Sequence, residues 1–335
     1  MKNALQLLFE GRSLSRLEAY RAMGLLISGR ASPEQAAAFL GALRAKRETL
    51  PELTGFVQAM RERMIAVHSS RAPVLDTCGT GGSGTDAFNI SSAVAFVVAG
   101  AGLAVAKHGN RSVSSQCGSA DVFEALGVPI DLSPADAGRC LDEVGLGFFY
   151  APLYHPALKN VGPVRKAIGV RTVLNLLGPL VNPVTQVRRQ VIGVPDRHFG
   201  RLMIEVLRDL ESEEVMVVTG EGGLDEIALS GPTEISHLKN GRIEHLTIEP
   251  TQAGLVCAPL EAIRGGDART NAGILEGILK NELPGPKRDV VLLNASAALQ
   301  VGGLAEDFRG GAKLAAQVIE SGRAFAVLER LRRFR

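Results

Sequence analysis

From the N-terminus to about residue 66, apolar positions recur at three- and four-residue intervals with polar residues between them, the pattern of short amphipathic helices. Start signals precede each stretch. Ser15-x-x-Glu18 is a capping box that opens an apolar run through Met23, Leu26 and Ile27, which Gly29 can stop. Ser32-Pro33-Glu34-Gln35 joins a cap to a first-turn proline, and Thr49-x-x-Glu52 repeats the device before Leu53, Phe56, Val57 and Met60. Together they predict a small helical domain.

The period changes at Ala72. Pro73-Val74-Leu75-Asp76 reads as a short buried strand, followed by a Gly-rich loop and a helical run from Ser91. Leu103 to Ala106 is a second strand, with a polar loop and then a helix through Val122, Phe123, Ala125 and Leu126. Phe148–Tyr150, Val191–Val194 and Val215–Val218 are further strands, and this alternation predicts parallel β-α units. Between Glu234 and Ile248 two runs meet at Asn240-Gly241, a hairpin signal, and from Asp289 the chain returns to helices. Arg165 to Val184 holds Leu174, Leu176, Leu177 and Leu180 between Gly and Pro breaks without strand alternation, and is expected to cross back to the N-terminal helices. The predicted fold class is α/β: a small helical domain (1–70, with 166–187) plus a larger α/β domain with a mostly parallel central sheet (71–165 and 188–335).

Composition narrows the function classes. Lys and Arg number 37 against 35 Asp and Glu, a net charge of +2 that argues against a dedicated nucleic-acid binder. Aromatic residues are 4% with no Trp, too few for a base-stacking platform. The N-terminus turns polar too soon for a signal peptide, and no apolar run approaches the roughly 20 residues of a membrane span. The 4 cysteines show no CxxC spacing, so neither a disulfide framework nor a zinc site is expected, and the chain reads as cytoplasmic.

The 38 glycines are most concentrated in Asp76-Thr77-Cys78-Gly79-Thr80-Gly81-Gly82-Ser83-Gly84, where unobstructed amides lead into a helix N-terminus. Nested amides and a helix dipole bind phosphate oxygens, although a plain Gly-rich turn would look the same. The loop lacks the Walker lysine and the GxGxxG spacing. A second loop favours the anion reading. Lys107-His108-Gly109-Asn110-Arg111 follows a strand and Ser114-Ser115-Gln116-Cys117-Gly118-Ser119 precedes a helix, at the strand end where open α/β sheets bind ligands. Two such loops imply a substrate carrying phosphate at two ends. In Gly222-Gly223-Leu224-Asp225-Glu226, adjacent carboxylates could hold Mg²⁺, or simply face solvent. His155 and Arg165 could face one cleft or be structural.

Taken together these segments resemble the anthranilate phosphoribosyltransferase family over essentially the whole chain. The carriers are Gly79-Thr80-Gly81-Gly82 with Phe88-Asn89-Ile90-Ser91, the block from Lys107 to Asp121, Phe149-Tyr150-Ala151-Pro152 with His155-Pro156, Pro163-Val164-Arg165, Asn175 to Pro183, and Leu224-Asp225-Glu226. The resemblance implies transfer of phosphoribosyl from 5-phosphoribosyl 1-diphosphate to anthranilate, with Mg²⁺ required, in a homodimer joined through the helical domains. It implies that Gly79, Thr80, Gly81, Gly82, Asn89, Ser91, Ser92, Lys107, Ser115, Gly118 and Ser119 bind the sugar diphosphate. Gly79, His108, Asn110, His155, Arg165, Gly178 and Pro179 would bind anthranilate, and Ser91, Asp225 and Glu226 the metal. No nucleophile or strong general base is expected, and no nucleic-acid or membrane partner. Two positions depart from the family pattern: Ser83 stands where Asp is usual and Ser92 where Thr is usual, with Asp86 a candidate to replace the missing carboxylate. Rival expectations are a nucleoside phosphorylase of the same superfamily and a non-catalytic, nucleic-acid-binding relative.

Overall fold

The structure, a computed structural model, describes residues 1–112 and 116–335. The N-terminal region consists of α1 (Lys2–Phe9), α2 (Arg16–Ile27), α3 (Pro33–Lys46) and α4 (Leu50–Arg61). Its cap signals are used. The Glu18 N–H donates to Ser15 Oγ at 3.3 Å while the Ser15 N–H donates to Glu18 Oε2 at 2.8 Å, and Ser32 exchanges the same two bonds with Gln35. Glu52 does more than close a cap. Its carboxylate accepts from the Thr49 N–H at 2.8 Å, Lys46 Nζ at 2.9 Å and the Leu14 N–H at 2.9 Å, so one fully buried acid joins the segment before α2 to α3 and α4.

Deleting one partner of such a pair strands the other charge away from water. Glu52→Ala is therefore expected to lower the unfolding free energy by about 3 kcal/mol or more, read from the urea midpoint, with Glu52→Gln falling between it and the native chain.

The sheet is built from β1 (Val74–Gly79), β2 (Ala104–Gly109), β3 (Leu146–Tyr150), β4 (Val187–Gly193), β5 (Glu214–Gly220), β6 (Thr233–Lys239) and β7 (Arg242–Ile248), in the order β3-β2-β1-β4-β5-β6-β7. Neighbours from β3 to β5 are parallel; β5, β6 and β7 pair antiparallel. The β6–β7 turn uses Asn240 (φ +51°) and Gly241 (φ +75°), the backbone an Asn-Gly turn requires. Helices α5 (Ile90–Gly100), α6 (Ser119–Ala125) and α7 (Pro134–Val144) lie between β1 and β3, α8 (Ala151–Tyr154) and α9 (Gly162–Ile168) follow β3, and α10 (Arg197–Asp209) joins β4 to β5. The chain ends in α11 (Ala268–Leu279), α12 (Pro286–Val301), α13 (Phe308–Glu320) and α14 (Arg323–Arg333). The return to helices thus begins earlier than Asp289. Asp267 caps α11 by accepting the Thr270 N–H at 2.8 Å, and that start lies in a Gly-rich stretch with little apolar periodicity.

Alternate strand residues go to opposite faces. Leu75, Val105, Val191, Met216 and Val218 pack with α5 and the C-terminal helices. Cys78, Ile192, Val215 and Val217 pack with α10 and the N-terminal helices. Val173, Leu174, Leu177, Leu180 and Val181 share that second cluster with Phe39, Leu40, Phe56 and Val57, and Arg61 Nε donates to the Leu180 carbonyl at 2.8 Å.

From β1 the chain winds outward through β2 and β3, then returns to build β4 and β5 on the other side. The carboxyl ends of β1 and β4 therefore part at a topological switch point, where sheets of this kind bind ligands. Gly79 ends β1 and faces Gly193, the end of β4, in register. Among the described residues no helix is long and apolar enough to cross a membrane.

Candidate active site

The Gly-rich loop leaves β1 at this switch point. The Thr80 N–H donates to the Gly193 carbonyl at 2.9 Å, which fastens the loop to β4. Gly81 (φ +66°) and Gly82 (φ +81°) hold left-handed backbone that a side chain would resist. Asn89 ends the loop in front of α5: its Nδ2 donates to the Cys117 carbonyl at 3.3 Å, and its Oδ1 accepts from Asn271 Nδ2 at 2.9 Å. One amide side chain thus ties the first loop to the second and to α11. Ser92 is buried in α5, its hydroxyl without a partner among the described residues.

Behind the loop lies a compact set of charges. Lys107, 2% exposed at the middle of β2, donates from Nζ to the Thr77 carbonyl at 2.5 Å and to Ser91 Oγ at 3.3 Å. The Ser91 N–H donates to Glu226 Oε1 at 3.1 Å, which places the Asp225–Glu226 pair against the first turn of α5. The pair also reaches the loop, because a Cβ on Gly79 would lie 2.8 Å from Asp225 Oδ2. Loss of hydration raises the pKa of both acids, and for Glu226 the adjacent Asp225 charge adds to the rise.

Two acids that disfavour each other's charge, with Lys107 as the nearby cation, suit a divalent ion. No group of three or more His, Cys, Asp or Glu gathers among the described residues, so such an ion would take its remaining ligands from phosphate oxygens, as Mg²⁺ commonly does.

The second loop borders the first because β1 and β2 are adjacent. Gly118 precedes α6, its N–H donating to Asp121 Oδ2 at 2.9 Å, and Ser119 Oγ donates to the Asn110 carbonyl at 3.4 Å. The exposed Asn110 side chain accepts from the Arg111 N–H at 2.8 Å. Ser115 lies outside the described residues.

On the opposite wall, the His108 and His155 rings stand 5.2 Å apart between centroids, both buried. His108 Nδ1 meets the Gly178 carbonyl at 3.3 Å, which favours the tautomer with hydrogen on Nδ1. The Nε2 atoms of both rings are buried without partners among the described residues. Pro179 is buried beside them and its carbonyl accepts Gln190 Nε2 at 2.8 Å. Arg165, on α9, is half-buried, and its guanidinium makes no hydrogen bond or ion pair among the described residues; burial holds its pKa below the usual value.

Burial lowers the pKa of His108 to about 3 and of His155 to about 4. The unfolded chain, with histidines near 6.5, therefore binds more protons between pH 6.5 and 4, so stability falls on acidification through that window. His155→Gln is expected to reduce the slope of unfolding free energy against pH there by up to about 1.4 kcal/mol per pH unit, measured by denaturant titration at several pH values.

Several contacts carry no motif. Arg171, between Gly169 and Thr172, donates from Nη1 to the Gly81 carbonyl at 2.5 Å and from Nη2 to the Thr80 carbonyl at 2.9 Å. Asp76, fully buried, accepts Asn182 Nδ2 at 2.9 Å, and the same amide donates to the Ala106 carbonyl at 2.8 Å, pinning the stretch after Gly178 to β1 and β2. Asp86 is exposed and its side chain makes no hydrogen bond or ion pair among the described residues, while the Ser83 hydroxyl lies against Asp225 and favours its charged form.

Two family models match the chain: the helical bundle domain of a glycosyl transferase family over residues 2–64, and the a/b domain of a glycosyl transferase family over residues 71–325. The anthranilate phosphoribosyltransferase of Symbiobacterium thermophilum is 51% identical over 334 residues, covering 100% of this chain and 97% of that protein. That of Rhodopseudomonas palustris strain HaA2 is 50% identical over 321 residues, 96% of this chain and 94% of that protein. The crystal structure of anthranilate phosphoribosyltransferase from Thermus thermophilus superposes with a TM-score of 0.93 at 40% identity, covering 99% of this chain and 98% of that one. The Saccharomyces cerevisiae enzyme in complex with PRPP and Mg gives 0.91 at 25% identity, covering 98% and 96%. With two family models spanning its helical and α/β parts and half its residues shared with full-length relatives, the chain belongs to the anthranilate phosphoribosyltransferase family.

Proposed function

We propose that this chain transfers the 5-phosphoribosyl group of 5-phosphoribosyl 1-diphosphate to the amine of anthranilate, giving N-(5-phosphoribosyl)anthranilate and diphosphate, a step of tryptophan biosynthesis. The observation that carries this reading is the meeting, at one switch point, of an amide-lined Gly loop and an acidic pair, beside which the chain carries a half-buried arginine, Arg165, whose guanidinium bonds to nothing among the described residues. In this reading the chain divides into a helical unit, residues 1–70 with 166–187, and an α/β unit, residues 71–165 with 188–335.

The reaction breaks the C1–O bond of the sugar diphosphate, forms a C1–N bond to the amine and releases one amine proton to the departing diphosphate or to water. C1 becomes positive while the leaving group gathers negative charge, so stabilising the departing diphosphate is the main task. Gly79, the Thr80 hydroxyl and the amides of Gly81 and Gly82, with Asn89, Ser91 and Ser92 at the head of α5, receive its oxygens. Lys107 and the loop carrying Ser115, Gly118 and Ser119 hold the remaining phosphate charge. Ser91, Asp225 and Glu226 would hold Mg²⁺, which when bound supplies positive charge to the diphosphate.

Arg165 grips the anthranilate carboxylate in a bidentate pair, and Asn110 orients the amine. His108, His155, Gly178, Pro179 and Gly79 shape the flat pocket. Both imidazoles are too weakly basic to take a proton well, so they serve as neutral acceptors. The aromatic amine is already neutral at pH 7, and holding it opposite C1 accounts for much of the rate. A homodimer through the helical units accords with Phe9, 68% exposed, and Leu17, 54% exposed, on α1 and α2. The enzyme is cytoplasmic in this reading.

The test is loss of anthranilate fluorescence on adding 5-phosphoribosyl 1-diphosphate and Mg²⁺, with diphosphate released in equal amount. Phosphorolysis of thymidine or uridine without anthranilate turnover would overturn it.

A further inference from the structure

The guanidinium of Arg171 sits on the Gly loop in a way that no phosphate-binding motif requires. It grips two successive carbonyl oxygens, those of Thr80 and Gly81, rather than a carboxylate. In a planar trans peptide the C=O and the following N–H point in opposite directions. Holding both carbonyls on one side therefore sets the Gly81 and Gly82 amides on the other. At Gly81 and Gly82, both with positive φ, the backbone would otherwise be free to turn either way. The fit is close: a Cβ on Gly82 would lie 1.1 Å from Arg171 Nη1, so the guanidinium occupies the space a side chain there would need. Burial lowers the Arg171 pKa, and the nearby Asp225 partly offsets that.

We propose that Arg171 is a positioning residue of the diphosphate site, fixing the direction of the loop amides by its grip on the Thr80 and Gly81 carbonyls. It thereby ties the stretch that carries Arg165 to the loop that receives the sugar diphosphate. The assignment of that loop rests on the function proposed above.

Two measurements on the full chain test it. The first is calorimetric titration of inorganic diphosphate with Mg²⁺ into the native chain, Arg171→Lys and Arg171→Ala. Arg171→Ala is expected to weaken Kd about tenfold, the loss of one to two charge-assisted hydrogen bonds, and Arg171→Lys to fall between. The second is steady-state kinetics. Arg171→Ala is expected to raise the KM for 5-phosphoribosyl 1-diphosphate about tenfold while that for anthranilate stays within about twofold. Unchanged diphosphate affinity, an equal rise in both KM values, or a lysine variant no better than alanine would overturn the proposal. If Arg171→Ala does not fold, Arg171→Lys against the native chain decides by the same Kd and KM comparison. A native chain that binds diphosphate but turns over no anthranilate refutes the proposed function and leaves the titration decisive; one that binds no diphosphate overturns both.

Discussion

Arg165→Ala is expected to raise the KM for anthranilate by about a hundredfold and to leave that for 5-phosphoribosyl 1-diphosphate nearly unchanged, since a charge-assisted bidentate pair contributes roughly 2–3 kcal/mol. The physical ground is the state of the guanidinium. It is half-buried on α9 without a hydrogen bond or ion pair among the described residues, and burial already disfavours its charge. A cation held so is repaid by an anion that arrives, and a planar carboxylate matches its fork. Lysine should recover little, having a point charge in place of that fork. Steady-state kinetics with each substrate varied in turn would check this. Equal effects on both KM values would remove Arg165 from the acceptor side.

Gly193→Ala is expected to lower kcat/KM by about a hundredfold or more and to raise the Mg²⁺ concentration at half-maximal rate. A Cβ at the end of β4 would lie 1.7 Å from the Asp225 carbonyl oxygen and 2.4 Å from its carbon, atoms of backbone that cannot rotate away. The Asp225–Glu226 turn must shift. Gly193 also accepts the Thr80 N–H, so one methyl group disturbs the acidic pair and the Gly loop together. Stability should fall by only about 1–3 kcal/mol, the usual cost of overpacking, which separates a displaced site from a lost fold. Native-like activity with a normal Mg²⁺ profile would show that this turn is not where the metal acts.

Local chemistry was well legible in the sequence. Ser15 with Glu18, Ser32 with Gln35, and Asn240-Gly241 all announce themselves because both partners fall within a few residues. The strand runs are legible for a related reason: both faces of the central strands are buried, so β5 is continuous apolar chain from Val215 to Val218 and β1 opens on Val74-Leu75. Contacts across the fold leave no such trace. Arg171 reaches loop residues 90 positions earlier, and Asn271 holds Asn89 from 182 positions away. Each is one polar residue in a polar stretch, with neither period nor spacing to mark it. Ser83 shows a different limit, since a family comparison registers a lost carboxylate, while only the folded chain places its hydroxyl against Asp225.

Residues 162–182 carry Arg165, Arg171, Gly178 and Asn182 in one unbroken stretch, whereas the loops assigned to diphosphate and metal hang from β1, β2 and β5. Part of the proposed acceptor side is therefore separable from the leaving-group loops as a protein part, while Gly79, His108, Asn110 and His155 stay outside it. The stretch can be exchanged as a cassette, and a library confined to its cleft-facing positions would sample other aromatic amines while the leaving-group machinery stays untouched. Arg171 and Asn182 are the fasteners that must be kept, because their side chains bond to the Gly loop and to the Asp76 carboxylate. A graft that preserved Arg165 but dropped both would keep the proposed carboxylate grip and lose its alignment with the sugar.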